Sequence, residues 1–292
     1  MATTSPLRTG SLCTGYGGLD LAVDALFDAR PAWVADPAPG PSKILAHRWP
    51  HVTNLSDLHT IDWTTLPPVD ILTAGFPCQP VSSSGHRRGI SDDRWLFDDI
   101  LTGLARMPER PALLIFENVR GLLTANSGEA MRRVIHGLAR ARFLARWRLL
   151  RASDVGAPHQ RARVFLVARD ALRERRSLGP NRGGPPLTRP ADQALPPGAQ
   201  HPAPGSRPGL DPSAWGRFAP AIRRWERTLG RPAPFPAEVG PYGPRISLRF
   251  MEWMMGLPDA WVTGGRACST PLYATPSATG SCPSKRPPPS KT

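Results

Sequence analysis

The chain has 292 residues and a formal charge of +14 at neutral pH, from 37 basic and 23 acidic side chains. Hydrophobic residues make up 40% and charged residues 21%, enough to bury a core and to exclude wholesale disorder. Positive charge favours a polyanionic partner, although 34 arginines against Lys43, Lys285 and Lys291, beside 36 prolines, also fit a GC-rich coding bias. Residues 1–10 hold no apolar stretch of signal-peptide length, and no run approaches the ~20 apolar residues that span a bilayer. Cys13, Cys78, Cys268 and Cys282 lie far apart, without the short paired spacing of zinc sites. The expectation is a soluble cytoplasmic protein with no metal and no membrane partner.

A short strand ending near Cys13 leads into the turn Thr14-Gly15-Tyr16-Gly17-Gly18. Leu19, Val23, Leu26 and Phe27 then recur at helical spacing. Residues 33–35 read as a second strand ending at Asp36, and residues 44–48 as helix. A third strand, 69–74, precedes Gly75-Phe76-Pro77-Cys78-Gln79-Pro80. Residues 96–105 are helical in pattern, and 112–116 form the continuous apolar run of a buried parallel strand. Residues 131–143 read as helix and 163–168 as strand. Strands separated by helices predict a parallel α/β sheet, with ligands beyond the carboxyl ends of the strands.

After Asp170 the texture changes. Residues 171–212 are rich in Pro, Gly and Arg with little periodicity, which predicts loops or a small irregular domain. Order resumes at 215–229 and again at 247–261. Residues 265–292 carry no acidic side chain and read as an anomalous, disordered tail.

Four features carry candidate chemistry, each with a plainer alternative. The glycine turn lets a ligand approach a helix N-terminus, yet tight strand-to-helix turns need glycine for structure alone. Asp36, after the second strand, suits a ribose hydroxyl, yet aspartate before Pro37 also starts turns. Cys78 sits in an elbow after a buried strand; a lone cysteine is more often inert core. Glu117 follows the apolar run and faces the same edge, or simply caps the next helix or pairs with an arginine. Arg161 and Arg163 share one face if the last strand begins at Arg161, but arginine pairs mean little in this composition.

Together the set says more than its parts. Gly-Phe-Pro-Cys-Gln, Glu-Asn-Val and Gln-Arg-Ala-Arg-Val-Phe, in this order behind a glycine turn, resemble the cytosine-C5 DNA methyltransferases. The resemblance spans about residues 11–165 and resumes at 245–262, where Arg-Ile-Ser-Leu-Arg-Phe-Met-Glu-Trp-Met-Met-Gly-Leu-Pro is similar to a late motif of the family. It implies an α/β, Rossmann-like, S-adenosylmethionine-dependent methyltransferase domain with a small irregular target recognition domain. The corresponding boundaries are 8–170 for catalysis and cofactor binding, 171–244 for target recognition, 245–264 for the late motif and 265–292 for the tail.

The resemblance also implies roles. Cys13, Thr14, Gly15, Tyr16, Gly17 and Gly18 would meet the cofactor, with Asp36 at the ribose, Asp57 and Leu58 near the adenine, and Pro77 alongside. Cys78 would attack C6 of a flipped cytosine, Glu117 would protonate N3, and Arg161 and Arg163 would orient the base. Double-stranded DNA is the implied partner and a monomer the implied state, with a restriction endonuclease as a possible companion. Two departures stand out. His159 occupies the position where the arginine motif usually has Gln, and residues 265–292 contain no Gly-Asn segment of the kind that completes the family's cofactor pocket. A shifted reading frame or truncation there would account for the second. The alternatives are a catalytically impaired DNA-binding relic and an RNA-acting member of the family.

Overall fold

The computed structural model describes residues 6–77, 95–174, 212–240 and 243–264. Its centre is a seven-stranded sheet. The first strand, β1 (Leu7–Leu12), turns into α1 (Gly18–Phe27), and the chain returns as β2 (Ala29–Ala35). Helix α2 (Pro39–Arg48) and the two-residue β3 (Thr53–Asn54) follow, then β4 (Ile71–Ala74). Beyond lie α3 (Phe97–Arg106), β5 (Leu113–Val119), α4 (Glu129–Arg140), β6 (Phe143–Leu150), β7 (Arg163–Asp170) and the short α5 (Ala171–Glu174). The remainder comprises α6 (Ala219–Leu229), a hairpin of β8 (Ala237–Gly240) and β9 (Gly243–Ile246), and α7 (Leu248–Met254).

The strand order is β3-β2-β1-β4-β5-β7-β6. The chain winds one way through β1, β2 and β3 and the other way through β4 and β5. A crevice therefore opens beyond the carboxyl ends of β1 and β4, where open α/β sheets bind their ligands. The first five strands are parallel, as expected. Only β7 is reversed: it runs antiparallel to both β5 and β6, so β6 points the same way as the first five. Residues 151–162, between β6 and β7, contain one 3-10 turn and no α-helix, so the chain reverses instead of crossing over.

Two strand limits also differ from the sequence reading. The expected helix over 131–143 stops at Arg140, and Phe143 opens β6 instead. Strand β5 does not end at Phe116 but runs through Glu117-Asn118-Val119, because each pairs with β7, Glu117 opposite Phe165. A charge ended the apolar pattern without ending the strand.

Helices α3 and α4 cover one face of the sheet. They bury Phe97, Ile100 and Leu104, and Met131, Val134 and Leu138, against Leu12, Leu72, Leu114, Phe116, Val164 and Leu166. On the other face, Val23 of α1 packs with Ile71 and Ile115. A second, smaller core joins α6 and α7 through Ile222, Trp225, Phe250 and Trp253, with Ala157 from the loop before β7. Strand β6 is one edge of the sheet, opposite the two-residue β3, and its exposed Arg146 and Arg148 are charges of the kind that deter edge-to-edge pairing.

Candidate active site

Three strand ends build the site. After β1, Cys13 takes a left-handed conformation (φ 50°), and Gly15 and Gly17 follow at φ 59° and 77°. The turn is closed by Gly17 N–H donating to the Thr14 carbonyl at 2.9 Å. A side chain at Gly17 would be strained by its φ and would also meet the Trp49 ring at 2.6 Å. The Thr14 hydroxyl accepts from Ala35 N–H at 3.2 Å and so ties the turn to β2.

After β4, Phe76 is buried in an aromatic group with Trp95, Phe97 and Phe116, at ring separations of 5.7–6.2 Å. Such pairs contribute about 0.5–1.5 kcal/mol each beyond simple burial. The Asn118 amide, itself buried on β5, donates to the Phe76 carbonyl at 3.1 Å. The backbone two residues before Cys78 is thereby fixed to the strand that carries Glu117. Cys78 itself lies outside the described residues, as do residues 78–94 generally.

These ends surround a cavity of about 470 Å³, a size suited to a nucleoside-sized ligand. Of the site residues read from sequence, it brings together Cys13, Thr14, Gly15, Tyr16, Gly18, Glu117, Arg161 and Arg163. Arg163 Nε stands 2.8 Å from Glu117 Oε1. Strand β7 begins at Arg163, not Arg161, and Arg161 sits before it at φ 31°. Both guanidinium side chains nonetheless reach the same wall.

Gly17, Asp36, Asp57, Leu58 and Pro77 are not in that wall. Asp36 is buried, and its carboxylate accepts from Gly15 N–H at 2.8 Å and Ala38 N–H at 3.0 Å. It locks the glycine turn to the end of β2. Asp57 caps a 3-10 turn by accepting from His59 N–H at 3.0 Å, and these bonds hold its carboxyl below the usual range. Leu58 belongs to the main core, and Pro77 is half-buried at the end of the described segment.

Other wall residues were not singled out in the sequence. Asp20, fully buried in the first turn of α1, accepts from the Thr73 hydroxyl at 2.5 Å. Burial raises its carboxyl pKa despite that bond. A carboxylate between Leu19 and Leu21 on an apolar helix was the available signal. Leu150, Ala152 and Val155 line another side, and Met255 and Leu257, just past α7, line a third. His159, the departure noted in the arginine motif, contacts the Met254 carbonyl at 3.0 Å and ties that motif to the end of α7. Trp261 donates from its indole N–H to the Tyr16 carbonyl at 2.7 Å, so the late segment also grips the glycine turn.

The charges are graded. Burial, and then the nearby carboxylates Asp36 and Asp57, push the Cys13 thiol up to about 12, so it stays protonated and unreactive at neutral pH. Burial also raises Glu117, more than the Arg163 and Arg161 guanidiniums lower it. Glu117 is therefore a carboxyl shifted toward its protonated form even though it lies beside two cations. Among the described residues no group of three or more His, Cys, Asp or Glu is placed to hold a metal ion, and no helix is long and apolar enough to cross a membrane.

Residues 7–183 match the family described as C-5 cytosine-specific DNA methylase. The type II methyltransferase M.BanI of Aneurinibacillus aneurinilyticus is 37% identical over 112 residues, covering 38% of this chain and 25% of that protein. A DNA N-6-adenine-methyltransferase of Escherichia phage P1 is 36% identical over 128 residues, covering 40% of this chain and 17% of its own length. Both matches thus span a quarter or less of the relative. The solved structure of S. pombe Dnmt2 methyltransferase is 25% identical and superposes with a TM-score of 0.47, over 56% of this chain and 51% of that one.

Proposed function

Since the chain belongs to the C-5 cytosine-specific DNA methylase family, we propose that it methylates C5 of cytosine in duplex DNA, with Cys78 as nucleophile and Glu117 as the proton donor to the ring. The observation that carries this reading is Glu117. It stands in the cavity wall with Arg163 at 2.8 Å, and burial holds its pKa up.

S-adenosylmethionine is the methyl donor of this family. The residues present fit it. The cavity runs along the backbone of the glycine turn, and a Cβ built on Gly15 meets nothing within 4 Å. A Cβ on Gly75 would point between the Cys13 carbonyl and Glu117, filling part of the wall. Residues 13–18 would hold the cofactor, with Asp20 beneath them, Met255 and Leu257 as apolar cover, and Asp36 shaping the turn. When bound, the cofactor supplies an electrophilic methyl group.

The protein's own residues do the rest. Cytosine C6 is out of reach in a stacked duplex, so the base must leave the stack. Cys78, as thiolate, forms a bond from sulfur to C6 while Glu117 gives a proton to N3. The ring electron pair then builds up at C5 instead of dispersing into an anion. After C5 is substituted, loss of its proton restores the C5–C6 double bond and expels Cys78. Arg163 and Arg161 hold Glu117 in place and offer donors to the base. Cys13, protonated and turned into the wall, does not compete with Cys78 for the nucleophile's role.

The phage P1 relative is named for adenine N6. An exocyclic amine is itself nucleophilic enough to take a methyl group directly and needs no covalent activation, so adenine chemistry gives no use for the Pro-Cys pair in the sequence. The test is nucleoside mass spectrometry of DNA from a methylation-free host expressing this chain, with Cys78→Ala as control. The expected result is 5-methylcytosine that disappears in the control. N6-methyladenine, methylation of RNA alone, or 5-methylcytosine that survives Cys78→Ala each contradicts the proposal. DNA binding without any methylation would identify the relic.

A further inference from the structure

We propose that the exposed face of α6 is a phosphate clamp for duplex DNA beside the mouth of the active-site cavity. The inference deepens the function proposed above, and its choice of nucleic acid rests on that reading.

On α6 the residues facing the protein are Ile222 and Trp225, both buried, and the half-buried Leu229. With 3.6 residues per turn, Arg223, Arg224 and Arg227 fall together on the opposite side. All three are exposed. Among the described residues no carboxylate pairs with any of them: Arg224 and Arg227 reach only the Gly156 and Arg223 carbonyls, each at 3.4 Å. The helix's one acid, Glu226, is turned aside to accept from Ala233 N–H at 2.9 Å. Arg223 and Arg227 stand one turn apart, where like charges repel each other and weaken a helix unless an anion lies across them. The contrast with α4 is direct, since its Arg132 and Arg133 are neutralised by Glu129 and Asp98.

Two further observations give the patch a direction. Just before α6, the Arg217 guanidinium lies over the Phe218 ring at 5.0 Å, and that ring is itself 57% exposed. A cation on an open aromatic face continues the ridge in the style of nucleic-acid grooves. The helix also packs on the loop that borders the cavity. A Cβ on Gly156 would meet the Thr228 hydroxyl at 3.2 Å and Trp225 at 3.9 Å, and Ala152 and Val155 of the same loop line the cavity. The helix that carries the arginines is therefore seated on a loop that lines the cavity, with Arg224 Nε also 3.4 Å from the Gly156 carbonyl.

The measurement is binding of a short labelled duplex by the full chain as salt is raised, for the parent, R223A/R224A/R227A and R223K/R224K/R227K. Each phosphate contact contributes about 0.9 to the slope of log affinity against log salt. The alanine triple is expected to lose about 2–3 of that slope and to bind about 10–100-fold more weakly at low salt, whatever the duplex sequence. The lysine triple keeps the charge and is expected to keep the slope, which separates charge loss from misfolding. An unchanged slope in the alanine triple overturns the clamp. A loss confined to structured RNA, with duplex binding untouched, overturns the assignment of the partner. The clamp and the enzymatic reading fail separately: a lost slope without methylation in the parent refutes only the enzyme, and methylation with an unchanged slope refutes only the clamp.

Discussion

The sheet and the α6–α7 unit are held together in different ways. Beneath α3 and α4 the sheet core draws on residues from every strand of the main body except β3, so each side chain carries a small share. The second core has five buried hydrophobic residues, three of them aromatic, with Trp215 stacked on Phe250 at 5.6 Å and Phe250 on Trp253 at the same distance. Polar bonds brace the unit internally: the Trp225 indole donates to the Trp253 carbonyl at 2.8 Å, and Arg231 pairs with Asp259 and reaches the Leu257 carbonyl, while Leu257 and Val262 pack with Ile44 of α2 to join it to the main body. Glu117, Arg161 and Arg163 thus stand on or beside the redundant scaffold, while Met255 and Leu257, which cover the cavity, follow the smaller unit and are packed onto α2 and the glycine turn by a third small cluster. Loosening the cover need not unfold the catalytic end.

Ordered by effect, the sharpest separation of the two regions comes from Glu117→Gln. It is expected to lower kcat about 10²–10⁴-fold with little change in melting temperature, because the lost group is the proposed proton donor and not a packing element. Steady-state kinetics and thermal melts on one preparation check both halves. Trp253→Ala should do the opposite, costing about 3–5 kcal/mol in the small core. Hydrogen exchange should then quicken in α6 and α7 while β1, β4 and β5 stay protected; uniform acceleration would show that the cores are one cooperative unit. A smaller effect is expected of Trp261→Phe, which removes the indole donor to Tyr16 and about 0.5–1.5 kcal/mol. Cofactor binding by calorimetry should weaken several-fold, since the glycine turn loses one of its ties.

A further effect, on stability alone, lies in α1. Asp24 is half-buried, and its Oδ1 accepts no hydrogen bond among the described residues. Burial first, and the Asp20 charge second, raise its carboxyl to about 7 against the pull of Arg30. The folded protein then holds a proton that the unfolded chain has released above about pH 4. Stability therefore falls as pH rises from the ordinary carboxylate range to about 7. Asp24→Asn should flatten that decline, measured as melting temperature at pH 5 and pH 8.

Sequence made the catalytic end legible because its signals are local. The turn at 14–18, the apolar runs through residues 74 and 116, and the motif around Arg163 each announce themselves within a few residues. Strand β6 was hidden because Phe-Leu-Ala-Arg-Trp-Arg-Leu-Leu follows directly on a helical pattern and carries apolar residues on both faces. The engagement of Asp36 by Gly15 N–H was equally hidden, since a carboxylate's partner is set by packing across 21 residues of chain. The aromatic core of α6 and α7 depends on Ala157, Trp225 and Trp253 meeting from distant stretches, and no periodicity reports such a meeting.

Trp261 gives the molecule an optical reporter of its own. Its indole is bonded to the turn that lines the cavity, its ring meets Trp49 edge-on at 6.0 Å, and the Arg48 guanidinium lies over it at 4.9 Å. Indole emission responds to neighbouring charge and to hydrogen bonding, so a ligand seated on the turn is expected to change the tryptophan fluorescence without any label. The difference between the parent chain and Trp261→Phe isolates that signal from the other eight tryptophans. Occupancy of the cavity then becomes readable by titration in real time, independently of whether turnover follows.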